Sequence, residues 1–113
     1  MKVKGNEGEY ITLKEASIRQ EKHLKHRKDV LKESDPIKSQ FFGKEKLLAL
    51  LSKPNCKGLK IIYGHDGNSL PSLVLAAADE DLNVLGVDKT GLKDGEPGDY
   101  LAGGPICPRD CAQ

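Results

Sequence analysis

A chain of 113 residues with 18 Lys+Arg against 17 Asp+Glu, a net charge of +1, has about one domain's length and leaves no room for a second core. Leu, Ile, Val and Phe make up 28 of the 113 residues, above the roughly one-fifth below which disorder is the default, so a small core is expected. The longest apolar run, Leu73 to Ala78, has six residues, far short of the ~20 that a membrane helix needs, which excludes a membrane span.

The near-neutral total hides a polarity. Residues 1–60 carry 15 Lys+Arg against 8 Asp+Glu, a balance of +7, while residues 61–113 carry 3 against 9, a balance of −6. The halves therefore attract one another or show opposite faces to partners.

Residues 1–10 have no periodicity and read as a flexible amino terminus. Lys2 and Lys4 have no apolar stretch behind them, so no secretory leader is recognised and the expected compartment is the cytoplasm. Thr12-Leu13-Lys14-Glu15 has the form of a capping box and opens a helix over about 13–31. Its apolar stripe (Leu13, Ala16, Leu24, Leu31) is broken by Gln20 and Arg27, so most of this helix is expected to face water. Ser34-Asp35-Pro36 ends it, because the residue before a proline is pushed out of the helical region.

A second, short helix follows over 44–51, with Gly43 as N-cap and Phe42 placed to pack on Leu47. Its leucines Leu47, Leu48 and Leu51 are expected to be buried against Ile61, Tyr63 and Leu75. Leu59 to Tyr63 is β-branched and aromatic enough for a strand; Asp66-Gly67 suits a type I′ turn, and Leu70 to Ala78 is the returning strand, with Pro71 at its start. Asp79-Glu80-Asp81 turns the chain again, and 83–87 is expected to return as the third strand of a meander. The fold class is thus α+β: two helices on one face of a small antiparallel three-stranded meander. The single domain spans 11–88, and residues 89–113, rich in Gly and Pro, form an irregular tail that is either draped over the sheet through Leu92, Leu101 and Ile106 or partly disordered.

Phe41-Phe42-Gly43, then Leu51, then Pro54 to Gly64, and finally Cys107-Pro108-Arg109-Asp110-Cys111 resemble a set of small uncharacterised bacterial proteins. These share a helix, a P-x-C-x-G loop, an I-x-Y-G strand, a G-V-D strand end and a C-P-x-x-C tail. The resemblance covers residues 36–111. It departs where Leu75 to Asp79 fills the place of G-V-D, while the literal Gly86-Val87-Asp88 comes later. What the resemblance implies is the order of the fold; it carries no activity, cofactor or catalytic residue.

Three cysteines are too few for a disulfide scaffold, so reduced thiols are the first expectation. Cys107 and Cys111 are close enough in sequence, around Pro108, to form a small disulfide ring or to share a metal; Cys56 and His65 would complete a Cys3His zinc set, although no C-x2-C pair is present. The first helix carries Lys14, Arg19, Lys22, Lys25, Arg27, Lys28 and Lys32, a pattern able to lie against phosphates, but it lacks aromatics for base stacking. Its i,i+4 pairs, such as Glu21 with Lys25, fit a solvated face better. Asp79-x-Asp81-x-Asn83 copies the start of a calcium loop, yet Val84 and Thr90 stand where its glycine and glutamate are due, so an Asx-rich turn is expected.

No G-x-S-x-G, P-loop or H-E-x-x-H is present, and enzyme activity is not expected. The sequence therefore reads first as a small cytosolic binding or accessory protein acting through its surface on an unknown protein partner, with no cofactor. Two alternatives stand beside it: a thiol or structural-metal module built on Cys56, Cys107 and Cys111, and a nucleic-acid-associated protein using the basic first helix.

Overall fold

The computed structural model describes residues 1–67, 70–86 and 99–107. In chain order the elements are α1 (Leu13–Asp29), β1 (Ser39–Gln40), α2 (Lys44–Leu51), β2 (Gly58–His65), β3 (Pro71–Ala78), β4 (Tyr100–Leu101) and β5 (Ile106–Cys107). They fall into two compact units, one of Met1–Glu7 with Phe42–Gly104, the other of Gly8–Phe41 with Pro105–Gln113. The α+β class holds: the described residues form two helices, a three-stranded antiparallel sheet of order β2-β3-β4 and a separate two-stranded sheet of β1 and β5.

In the second unit, Thr12 caps α1 through its hydroxyl, which accepts from the Glu15 amide at 3.1 Å. The reciprocal half of the capping box is replaced by an ion pair, since the Glu15 carboxylate accepts from Arg19 one turn on at 3.2 Å. The helix closes before Pro36 because Lys32 takes a left-handed φ of 59°. That bend lets the Glu33 amide donate back to the Arg27 carbonyl, while the Glu33 carboxylate takes a bidentate grip on the Arg27 guanidinium at 3.0 and 2.6 Å. No residue of α1 is buried, in keeping with its broken apolar stripe. Beyond it, β1 pairs with β5 (Ser39 with Cys107, Gln40 with Ile106), and the pairing is extended by Lys38 donating to the Cys107 carbonyl and Phe41 to that of Pro105.

In the first unit, β2 and β3 pair over their whole length, from Gly58 with Ala78 to His65 with Pro71. This register leaves five residues, 66–70, in the connection, so Asp66-Gly67 is not the two-residue turn expected from the sequence. Its physical reason is the core: this register puts Leu59, Leu75 and Ala77 on one face, whereas a two-residue turn at Asp66-Gly67 would shift the pairing by an odd number and turn Leu75 to the face of Lys60. The connection is closed by Asp66, whose amide donates to the Leu70 carbonyl and whose carboxylate accepts from the Leu70 amide. Pro71, unable to donate, opens β3 as expected.

The third strand also differs from the expectation. The return over 83–87 is reduced to a single bridge of Val84 with Ala78, Val87 lying outside the described residues, and the place beside β3 is taken by β4 from the Gly/Pro-rich tail (Leu101 with Leu75, Tyr100 with Ala76). Asp79 explains the early turn. Its carboxylate accepts from the amides of both Asp81 and Asn83, an Asx turn that drives Leu82 to a φ of 67°.

The core of this unit is small: Leu50, Leu75 and Ala77, with Phe42, Leu47, Cys56, Leu59, Leu85 and Leu101 packed around them. Gly43 caps α2, as the sequence implied, and Phe42 packs on the core. The rotation of α2 is different from that expected. Leu50 is 3% exposed, whereas Leu48 is 50% exposed and Leu51 also faces outward, and so do Ile61 and Tyr63. An eight-residue helix spans only about 12 Å, so it covers the Leu59 end of the hairpin and leaves the Tyr63 end bare.

Candidate functional site

The bare stretch lies on β2, which among the described residues has a strand neighbour on one side only. Which backbone groups it leaves open follows from the far side of β3. There the Leu85 amide donates to the Ala77 carbonyl and the Asp79 amide to the Asn83 carbonyl. The backbone groups of Ala78 between them therefore face β2, where the Ala78 carbonyl accepts from Lys57. Applied along the register, this alternation bonds Gly58, Lys60, Ile62 and Gly64 to β3. The amides and carbonyls of Leu59, Ile61, Tyr63 and His65 point away from the sheet.

The side chains of those same residues lie on the α2 face of the sheet, because residues two apart in a strand share a face. Leu59 is covered by the core, but Ile61 is 56% and Tyr63 90% exposed. Natural proteins usually guard such an edge with lysine, proline or a bulge. Here Lys60 stands on the opposite face and turns its ammonium to the Leu82 carbonyl at 2.9 Å, and β2 contains no proline. An eight-residue strand thus offers alternate backbone donors and acceptors beside an isoleucine and a tyrosine.

The base of the same hairpin holds a cavity of about 240 Å³, lined among others by Val3, Glu7, Lys57, Lys60, Asp79 and Leu82. Its polar groups are largely spent on structure. Glu7 accepts from the Lys4 and Gly5 amides at 2.7 and 2.8 Å, hydrogen bonds that hold its carboxyl below the usual glutamate range. Val3 donates to the Glu80 carbonyl and Lys2 pairs with the Glu80 carboxylate, so the amino-terminal stretch is strapped to the end of β3.

One polar pair escaped the sequence reading altogether. Asp99 is 6% exposed and its carboxylate meets the Lys53 ammonium at 2.7 Å, just beyond the carboxyl end of α2. Gly86, at a φ of 87°, makes room for it: a Cβ there would lie 2.7 Å from both carboxylate oxygens. The two partners are 46 positions apart, and only the glycine hinted at the close approach.

The other candidate residues are placed as follows. Cys56 is a free thiol, half-buried against the core, 3.4 Å from the Gly58 carbonyl. His65 is exposed at the far end of β2, and at ~3.3 Å per residue the seven steps from Gly58 put it roughly 23 Å away. Cys107 sits half-buried in β5 and is disulfide-bonded, against the expectation of reduced thiols, while Cys111 lies outside the described residues. Among the described residues no group of three His, Cys, Asp or Glu side chains is placed to hold a metal ion. The cations of α1 lie on a helix without a buried residue, two of them tied to Glu15 and Glu33. Among the described residues no helix is long and apolar enough to cross a membrane. Compared with protein-family models, curated proteins and solved structures, the chain matches none.

Proposed function

We propose that this chain is a small cytosolic binding or accessory protein that takes its partner along the open edge of β2, by strand addition. The observation that carries this reading is the coincidence, in one strand, of outward backbone groups at Leu59, Ile61, Tyr63 and His65 with the exposed side chains of Ile61 and Tyr63. In strand addition the main chain supplies hydrogen bonds and alternate side chains supply contact area, and both are present here. Tyrosine suits the task, since its ring gives a large contact at little cost in side-chain freedom while its hydroxyl stays wet.

The test is a photo-cross-linking residue at Tyr63 in the full chain, expressed in cells. The proposal expects a discrete covalent adduct at Tyr63 that fades when Ile61 is changed to lysine and is absent when the probe stands at Lys14. An adduct unaffected by Ile61→Lys, or none above the Lys14 control, contradicts it.

A further inference from the structure

We infer that the occupant of the β2 edge is a second copy of this chain, paired antiparallel about Ile61; the inference rests on the reading of β2 as a binding edge. Two strands that pair across a two-fold axis must present complementary backbone groups at the same residues. On β2 the outward residues are the odd-numbered ones, so the permitted hydrogen-bonded partners are odd with odd. With Ile61 opposite Ile61 of the second copy, Leu59 falls opposite Tyr63, and Gly58 opposite Gly64. Nearly the whole strand is then in register, and every residue keeps its face.

Charge selects the direction and the register. The start of β2 is cationic, with Lys57 and Lys60, and its end leads into Asp66. An antiparallel second copy sets Lys57 beside the His65-Asp66 end of its twin, and Lys60 opposite Ile62. A parallel copy would instead bring the two cationic starts of β2 to the same end of the pair, a like-charge arrangement that sheets avoid. The pairing also covers what α2 leaves bare, since each Tyr63 ring lies over Leu59 of the other copy and the two Ile61 side chains meet on the axis. The resulting sheet has six strands.

The area at stake sets the strength. An edge of eight residues with two anchor side chains per copy falls at or below the roughly 1,200 Å² that bounds standard interfaces from below, so the dimer forms and dissociates with concentration.

Sedimentation equilibrium of the full chain, from micromolar to near-millimolar concentration, tests the inference, with circular dichroism as the check that each variant is folded. The wild type is expected to move reversibly from monomer to dimer. Ile61→Lys and Ile61→Glu, each at an exposed side chain, should weaken self-association by about tenfold or more by placing like charges across the axis. An equal mixture of the two variants should recover the dimer, which only an axis at Ile61 allows. A wild type that stays monomeric at the highest concentration overturns the inference, and so does a dimer that survives both substitutions. If the wild type is monomeric while the Tyr63 probe still captures another protein, the edge is a binding site for a different occupant. If neither dimer nor adduct appears, the reading of the edge falls as well.

Discussion

At the scale of single residues, Asp99 shows how a polar group is kept inside a small unit. Its carboxylate is nearly out of water, and Lys53 compensates its charge at 2.7 Å. Removing one partner of such a pair costs more than the pair itself gives, because the other charge is left in a poor solvent. Asp99→Ala should therefore destabilise the protein by about 2–4 kcal/mol in chemical unfolding, with Lys53 part-exposed and so able to recover some hydration. Gly86→Ala should cost about 1–3 kcal/mol, since it both places a Cβ on the carboxylate and forces a side chain to a positive φ. A loss under about half a kilocalorie for Gly86→Ala would mean that the loop yields freely. Glu7 gives a residue-scale test in pH. Its folded pKa lies below the unfolded one, so the hydrogen bonds to Lys4 and Gly5 are fully present above the ordinary glutamate range and are lost as pH falls through the lowered value. The amide resonances of Lys4 and Gly5 should report that titration, and pH-invariant shifts would contradict the arrangement.

At the scale of elements, what was readable in the sequence was what is local. Thr12 and Gly43 announced the two helix starts, and the β-branched run with Pro71 the hairpin, whereas the first helix ends at Asp29, well before Pro36. The rotation of α2 was not readable. Leu47, Leu48, Leu50 and Leu51 are four leucines in five positions, so more than one face satisfies a helical spacing, and only the contact with Leu75 and Ala77 decides that Leu50 points inward. Leu50→Ala should accordingly cost about 2–4 kcal/mol and Leu48→Ala less than about 1; equal losses would show the helix turned otherwise. The strands β1, β4 and β5 have two residues each, too few for any periodicity, and they exist through partners distant in sequence. For the same reason Asp99 and Lys53 gave no local signal. The binding edge was half legible: the apolar run of β2 was evident, but that Ile61 and Tyr63 face outward depends on how short α2 is.

At the scale of the molecule, the sheet unit is held by little apolar burial for its length. Its core of Leu50, Leu75 and Ala77 is capped by one short helix, and among the described residues this economy leaves one strand of the hairpin open. Residue-resolved hydrogen exchange on dilute protein tests that central claim most directly. With the edge open, exchange along β2 should alternate: the amides of Lys60, Ile62 and Gly64, bonded to β3, exchange slowly, and those of Leu59, Ile61 and Tyr63 exchange fast. Uniform protection of all six amides in dilute solution would show the edge already covered and would contradict the account.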